Sequence, residues 1–592
     1  MLRSLATALV AISASTLAAQ GYYNLDFETL LRGRLGVWPV GLSNGFEYAF
    51  DDTTAASGRL SYRIRSLTAP DGALGVTSIL LPVADLRGKR IKVSGSIRTQ
   101  TIIAPGYASI WTRVDGDAGI LYLENMSRTQ VNGTTGWTRY EYEVDVSPVA
   151  TRVIFGTFLA GRGVAWFDDL RVEVDGKPIP QTPAPYIGDP TPEQKSWLLQ
   201  TAIPFQTEKA GTGFDDLQPL RSLIGNARVV GLGEATHGTA EFFRMKHRLV
   251  EFLASEMGFT IFSIEANMPE AYALNDYVLT GRGDPKRLLQ GMYFWTWNTQ
   301  EVLDMVEWMR TFNASGRGRI QFTGFDMQTP QVAIRIVRDF AGKSSPELRV
   351  AVDAASAKLA VTAPLPVNAA NQPAILDAAF AAKDIRLRFE AAYPELIKSF
   401  PPAEVEWAVQ NARVAEQAAF GRIGGSAHRD EMMALNTRWI LDQNPGAKMA
   451  IWAHNYHVSR VEGAQGSYLA RDLGANYVVL GFSFYAGRFS ALSLLPNGSF
   501  GPLNSNNVAV TPYPGTIEHM FHETGMPRFI LDLRKATPSN GGAWLLSAMD
   551  AREVGSVAVD GFASRPNLTK DYDALIYFDQ TTNSVLLPFT NN

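Results

Sequence analysis

The sequence predicts an α/β domain built on a parallel sheet with a helical insertion, preceded by an all-β, jelly-roll-like sandwich. Three observations predict this arrangement. Residues 21–175 contain short runs in which apolar and polar residues alternate between turn signals, as in half-buried strands. From Ser196 onward, β-branched apolar runs alternate with stretches of helical periodicity, as in strand–helix–strand units. Between about residues 345 and 445, alanine-rich helical sequence interrupts that pattern.

Size and composition exclude several classes of protein. A chain of 592 residues exceeds one hydrophobic core, so at least two domains are expected. A net charge of −4 and the lack of a basic cluster make nucleic acid an unexpected partner. Cysteine is absent, which excludes disulfides and a thiolate nucleophile.

The first residues have the composition of a secretory signal peptide. Arg3 precedes a short apolar run that ends at the small residues Ala18 and Ala19, which predicts cleavage near Ala19. The run is too short and too rich in Ala and Ser for a membrane span. We therefore expect a signal peptide over residues 1–19, no integral membrane segment after its removal, and a bacterial periplasmic or secreted protein.

The predicted sandwich spans residues 21–175. Its NLDFE segment (24–28) and WFDDLRVEV segment (166–174) resemble parts of carbohydrate-binding jelly rolls. A carbohydrate ligand and a structural or docking role are both open for this domain. We interpret its tryptophans as core aromatics rather than surface platforms; they are Trp111, Trp137 and Trp166.

A proline-rich segment over residues 176–195 follows the sandwich. Six of its residues between 178 and 192 are prolines, which predicts a stiff, extended spacer and a domain boundary. We expect the α/β domain to cover residues 196–592, with the helical insertion at about 345–445.

The first unit of the α/β domain is the most informative stretch of the chain. Arg228 to Leu232 and Phe259 to Ile264 are predicted as buried parallel strands, and an apolar stripe between them predicts a helix. Glu234, His237 and Glu265 fall at or just beyond the carboxyl ends of these strands. That edge is where open parallel sheets bind ligands.

Further runs repeat this pattern. RIQFTGFDMQ ends its apolar part at Asp326, and His454 and His457 directly follow the strand predicted over Met449 to Ala453. The other predicted strands are NYVVLGFSFY (476–485), FILDLR (529–534) and YDALIYF (572–578). Three of the chain's seven histidines therefore lie at strand ends beside acidic residues, which we interpret as a composite active site.

The residues favour direct attack by water over a covalent mechanism. The only G-x-S-x-G match, residues 41–45, lies in the predicted sandwich and opens no helix. In one version neutral His237 takes a proton from water, and Glu234 or Glu265 holds its ring. The candidates for meeting the negative charge on the substrate oxygen are Lys246, His454 and His457.

A metal-dependent version is the alternative. His237, His454, His457 and a glutamate are ligands of the kind that zinc uses, but their spacing is not diagnostic. An aromatic cluster, GMYFWTWNTQEV (291–302), fits packing between helices and would also suit a bulky apolar substrate. The residues expected to contact or orient the substrate are Trp295, Trp297, Asp326 and Asn455.

Five motifs occur in a fixed order: GEATHG, EFFRMKHRL, GFTIFSIEAN, GFDMQ and WAHNYHV. Together they resemble the erythromycin esterase family over roughly residues 195–590. The resemblance implies a metal-independent, cofactor-free hydrolase that opens macrolide lactones with an activated water. It also implies that His237 is the general base, with Glu234 and Glu265 as acidic partners, and that His454 and His457 complete the site.

This chain departs from the family pattern in two respects. Lys246 stands where well-known members have arginine; lysine keeps the charge but loses the bidentate fork. The sandwich and the predicted export also differ from the resistance enzymes, which act inside the cell. We expect an ester or lactone hydrolase acting on a small molecule. A metal-dependent, peptidase-like hydrolase and a non-catalytic polysaccharide-binding protein remain as alternatives.

Overall fold

The structure is a computed structural model and describes residues 22–29, 38–39, 41–43, 45–69, 73–116, 119–180, 188–495, 500–547, 549–558, 561–565 and 567–588. An antiparallel β-sandwich is followed by an α/β domain with a helical insertion, so the predicted fold class is confirmed. The signal peptide predicted over residues 1–19 lies outside the described residues. Within the described ranges, no helix has the length and apolarity needed to cross a bilayer.

The sandwich consists of two antiparallel sheets. Its elements are β1 (Gly41–Ser43), β2 (Phe46–Asp51), β3 (Ser61–Ser66), β4 (Leu74–Leu81), α1 (Val83–Leu86), β5 (Arg90–Ile102), β6 (Ala108–Gly116), β7 (Gly119–Glu124), β8 (Gly133–Asp145), β9 (Arg152–Ala160), β10 (Val164–Val174) and β11 (Lys177–Pro178). One sheet has the order β1-β2-β3-β10-β5-β8, with β11 beside β10, and the other β4-β9-β6-β7. Trp111 and Trp166 are buried, as interpreted from the sequence, whereas Trp137 is only partly buried.

The segment predicted as an extended spacer, residues 176–195, is structured at both ends. Its first residues form β11, and a helix begins at Pro192. Thr191 caps that helix and forms a capping box with Gln194, and proline fits the first helical turn. The prediction of an extended spacer is therefore wrong for its last residues, while residues 181–187 lie outside the described ranges.

The α/β domain is built on one large sheet. Its strands are β12 (Ile203–Pro204), β13 (Val229–Leu232), β14 (Phe259–Asn267), β15 (Gln321–Asp326), β16 (Lys448–Trp452), β17 (Tyr477–Leu494), β18 (Phe500–Val508), β19 (Arg528–Asp532) and β22 (Ala574–Thr581), while β20 (Met549–Glu553) and β21 (Gly561–Arg565) pair separately. The order is β12-β19-β22-β17-β13-β16-β14-β15, with β18 as a hairpin partner of β17. The strands from β22 to β15 are parallel, and β19 runs antiparallel to β22.

Helices cover both faces of this sheet. They are α2 (Pro192–Thr201), α3 (Pro219–Ile224), α4 (Ala240–Glu256), α5 (Met268–Thr280), α6 (Pro285–Gln290), α7 (Gln300–Ala314), α8 (Gln331–Ser344), α9 (Pro346–Thr362), α10 (Gln372–Leu396), α11 (Pro402–Asp442), α12 (Asn455–Val458), α13 (Gln465–Leu473), α14 (Ile517–His522) and α15 (Leu568–Asp571). Successive side chains of β13 enter opposite cores, Val229 on one face and Val230 and Leu232 on the other. This two-sided burial explains the unbroken apolar runs.

Two features place the functional side chains. Because β13 to β16 are parallel neighbours, the residues that follow them meet at one edge of the sheet. The helical insertion, α9 to α11, is seated beside that edge: Asn436 of α11 donates a hydrogen bond of 3.0 Å to the carbonyl oxygen of Phe325 in β15. Inside α11, Gly425 has non-helical angles (φ 66°, ψ −160°), which divides the helix into two segments.

Candidate active site

The candidate catalytic residues converge at the carboxyl edge of the parallel strands and form two layers. Four side chains keep a small exposed fraction of 7–9%: His237, Glu265, His454 and His457. Three are fully enclosed at 0% and lie behind them: Glu234, Lys246 and Asp326. The first set can meet a ligand directly, and the second can act only through its neighbours.

Glu234 bonds both to His237, the candidate base, and to the buried ammonium group of Lys246. The Nδ1–H of His237 donates to Glu234 Oε1 at 2.6 Å. Glu234 Oε2 accepts from Lys246 Nζ at 2.5 Å and from the indole N–H of Trp452 at 2.8 Å. Since a carboxylate only accepts, Nδ1 carries the proton and the Nε2 lone pair of neutral His237 is left for a ligand.

Two contacts hold Lys246 and the loop after β13 in place. Lys246 lies on α4, and its Nζ sits 4.3 Å from the centre of the Trp452 ring, so the ammonium is held against an aromatic face. A side-chain carbon at Gly238 would lie 2.0 Å from the backbone oxygen of Ser490 in β17. Only glycine allows this close approach, which fixes the backbone next to His237.

Charges around His237 favour its protonated form. Burial alone would lower the pKa of His237, but the hydrogen bond and charge of Glu234, helped by Glu265, outweigh burial and raise it. Burial lowers the pKa of Lys246 to about 8, against the opposing pull of Glu234. Lys246 is therefore an enclosed partner of Glu234, with no face open toward a substrate.

The other two histidines have fixed orientations. His454 Nδ1 accepts from the backbone N–H of Tyr456 at 3.3 Å, so its Nε2–H points to the carbonyl oxygen of Val554 at 3.3 Å. Burial, followed by the neighbouring histidines, keeps the pKa of His454 well below its ordinary value. His457 donates from Nδ1 to Asp430 Oδ1 at 2.7 Å.

Arg429 organises the opposite side of the site. Its Nε donates to Asp326 Oδ1 at 3.1 Å, and its Nη2 donates to Asp326 Oδ2 at 2.6 Å and to Glu265 Oε1 at 2.7 Å. Its Nη1 approaches His457 Nε2 at 3.1 Å, and 21% of the side chain is exposed. Arg429 is thus a cation that a ligand can reach, in contact with two acids and a histidine.

Glu265 is held in its ionised form. Burial would raise its pKa, but the charges of His457, Arg429 and His237 together lower it far below the ordinary value. Its Oε2 also accepts the backbone N–H of His454 at 3.0 Å. The carboxylate therefore ties the end of β14 to the loop after β16.

The residues predicted to contact substrate differ in whether their side chains are already bonded within the protein. Trp295 is partly buried, whereas Trp297 is buried: its indole N–H donates to the Glu265 carbonyl at 2.9 Å and its ring lies 5.9 Å from that of His237. Both polar ends of Asn455 bond to the backbone of Phe482, at 2.7 and 3.0 Å. The oxygens of Asp326 are taken by Arg429, Gln328 and the Met327 backbone. Asn455 and Asp326 therefore hold the site together.

Arg429 and Asp430 were not among the residues that the sequence predicted. They lie in the second segment of α11, four and five residues after Gly425, in the run HRDEMM. A dense cluster of charges in an alanine-rich helix, three residues after a pair of glycines, is the signal that could have identified them. Among the described residues, no group of three or more His, Cys, Asp or Glu side chains is arranged to hold a metal ion.

Comparisons with known proteins identify the family of the chain. The family described as erythromycin esterase matches residues 254–581, which include Glu265, Arg429 and His457. Erythromycin esterase type II of Escherichia coli is 26% identical over 368 residues, covering 56% of this chain and 87% of that protein. The putative hydrolase YbfO of Bacillus subtilis (strain 168) is 22% identical over 432 residues, covering 66% of this chain and 92% of that protein.

Solved structures share the fold of the α/β domain. A Bacillus cereus protein superposes with a TM-score of 0.58 at 26% identity, covering 67% of this chain and 98% of its own. A mutant of the erythromycin esterase EreC in its open conformation gives a TM-score of 0.52 at 17% identity, covering 64% of this chain and 96% of its own. The family match spans more than half of the 592 residues. The chain belongs to the erythromycin esterase family.

Proposed function

We propose that the α/β domain hydrolyses an ester or lactone by direct attack of a water molecule, with His237 as the general base. The observation that carries this proposal is the 2.6 Å hydrogen bond from His237 Nδ1 to Glu234. It fixes the ring so that Nε2, the atom needed for proton abstraction, is the nitrogen left for water.

The reaction follows from these positions. Nε2 of His237 takes a proton from water while the water oxygen bonds to the carbonyl carbon, and the carbonyl electron pair moves onto its oxygen. When this oxyanion collapses, the bond between carbon and the alcohol oxygen breaks. The imidazolium then returns its proton to the leaving alkoxide, which gives an acid and an alcohol.

Arg429 is the cation best placed to stabilise the oxyanion. The sequence suggested Lys246, His454 or His457 for this role, but Lys246 is enclosed, and both ring nitrogens of His454 and of His457 are engaged. Arg429 is partly exposed, and its Nη1, which contacts His457 Nε2, carries a second N–H that can be donated to a substrate. We therefore assign Lys246 to positioning Glu234, and His457 to orienting Arg429.

We propose a macrolide lactone as the substrate, on the strength of family membership and the aromatic residues near His237. The experiment is mass spectrometry of erythromycin incubated with purified protein, in which addition of one water is expected. His237→Asn should abolish that product while the protein stays folded. Unchanged turnover by this variant would refute the general-base assignment.

A metal-dependent reaction is the competing version. Exhaustive chelation, followed by elemental analysis of the protein and a repeat of the assay, separates the two. Activity that survives in metal-free protein supports the water–histidine mechanism, and activity that returns only with added metal refutes it.

We also propose that the sandwich binds polysaccharide beside Trp137. This partly buried indole donates to Thr54 at 3.2 Å, and Arg98 donates to the same hydroxyl at 2.6 Å, so an aromatic surface lies beside polar groups. Affinity electrophoresis through mixed-linkage β-glucan, galactomannan and dextran would test this. Retardation that Trp137→Ala removes supports the proposal, and no retardation in any gel refutes it.

For localisation, we propose export, on the signal peptide predicted over residues 1–19. Amino-terminal sequencing of protein recovered from periplasm or culture medium should find a chain that starts after Ala19. A chain recovered there with Met1 intact would refute this cleavage.

A further inference from the structure

The aromatic loop between α6 and α7 contains one residue in an unusual state. Tyr293 has a positive φ of 63°, and it is the only non-glycine residue of the α/β domain, among those described, with a positive φ. Left-handed backbone is unfavourable for a bulky side chain. The same side chain is 69% exposed, so burial of its ring does not offset that strain.

This loop is fixed to the active site at its other end. Trp297 donates to the carbonyl oxygen of Glu265, and its ring contacts that of His237. Backbone hydrogen bonds from Trp297 to Phe294 and from Asn298 to Trp295 close two consecutive turns. Tyr293 therefore lies exposed on this loop, four residues before Trp297, whose ring contacts that of the proposed base His237.

From these observations we propose that Tyr293 is a specificity-determining residue whose ring, with the partly buried Phe294 and Trp295, forms an aromatic rim that selects bulky, apolar lactones. The backbone N–H of Tyr293 closes a turn onto the carbonyl oxygen of Gln290 at 3.0 Å, which holds the residue in this conformation. Residues held in sparsely populated backbone conformations cluster at ligand-contacting sites. An exposed tyrosine ring offers a large contact surface at low entropic cost. This inference rests on the proposed lactone hydrolysis and names the substrate class within it.

The test compares a large with a small lactone. Tyr293→Gly removes both the ring and the strain, because glycine adopts this backbone freely, so the variant should melt no lower than wild type. For erythromycin we expect KM and Kd to rise about five- to tenfold, the contribution of one aromatic contact. For γ-butyrolactone kcat/KM should stay unchanged, and Tyr293→Phe should behave as wild type on both.

The control is Tyr122→Ala, which removes another exposed tyrosine, from β7 of the sandwich, and should change neither lactone's kinetics. If Tyr293→Gly melts lower and leaves the erythromycin Kd unchanged, the residue is structural and the inference is wrong. It is also wrong if Tyr293→Phe is as impaired as Tyr293→Gly. If wild type hydrolyses neither lactone, the proposed hydrolysis fails, while the erythromycin Kd values still decide whether the ring contacts a bulky ligand.

Discussion

At the scale of single residues, the pair of His237 and Glu234 makes the reaction dependent on pH. The base works only when it is neutral, and Glu234 raises the pKa of His237 above its ordinary value of 6.5. The activity should therefore rise with pH through that raised pKa and fall away below it.

Glu234→Gln tests this dependence. Losing the negative charge should move the acidic limb of the kcat/KM profile to lower pH, because protonated His237 is no longer stabilised. The rate at the optimum should fall about 100-fold, since the base loses the group that orients it. The measurement is kcat/KM for lactone hydrolysis from acidic to alkaline pH. An acidic limb in the same place as in wild type would contradict the role given to Glu234.

Lys246 illustrates the cost of a buried charge pair. Lys246→Met leaves the enclosed carboxylate of Glu234 without its cation, and removing one partner of such a pair costs about 3–5 kcal/mol of unfolding free energy. Urea unfolding should show that loss. The double variant Lys246→Met, Glu234→Gln should recover part of the stability and none of the activity, because the neutral amide leaves no unpaired charge. If Lys246→Met is as stable as wild type, the ion pair between Lys246 and Glu234 does not stabilise the fold.

At the scale of elements, α11 delivers Arg429 through a break at Gly425. No atom lies within 4 Å of a side-chain carbon added at Gly425, so its positive φ is the only obstacle to alanine. Since φ 66° with ψ −160° is a region that essentially only glycine adopts, Gly425→Ala should cost about 1–3 kcal/mol and turn the second segment away from the site, which lowers kcat.

Gly446 provides the matched control. It follows the same helix, has a φ of 76°, and also has open space at its side-chain position. Gly446→Ala should lose similar stability by thermal unfolding and keep its kcat. Equal losses of kcat in both variants would show that Gly425 affects only stability.

The break in α11 also explains what the sequence could and could not predict. Glu234, His237 and Lys246 lie within one strand–loop–helix unit, so their spacing alone brought them together. Arg429 comes from an insertion almost two hundred residues later, and its approach depends on the angles of one glycine within a long helix. The periodicity of apolar residues along the sequence does not encode the backbone angles of that glycine.

Asn455 shows a second limit. Its place at a strand end suggested contact with substrate, but its amide is satisfied by the backbone of Phe482 on β17, which β13 separates from β16 in the sheet. Which strand lies beside which is set by the sheet order, and residue spacing along the chain does not contain it. Asp326 has a different explanation: its oxygens bond to Arg429, whose approach depends on the break in α11.

At the scale of the whole molecule, the apolar clusters of the described residues divide between the two domains. Those of the sandwich lie within residues 23–179, and the two large clusters of the α/β domain lie within residues 197–587. Since each domain has its own core, each can unfold as a separate cooperative unit.

Differential scanning calorimetry should therefore show two transitions, and core substitutions should assign them. Phe155→Ala in the sandwich and Phe322→Ala in the α/β domain each empty a fully buried site and should each cost about 3–5 kcal/mol. Phe155→Ala should lower one transition and leave lactone turnover intact. Phe322→Ala should lower the other, and turnover should disappear at that lower temperature. If either substitution shifts both transitions together, the domains unfold as one unit and the separation of their cores has no thermodynamic consequence.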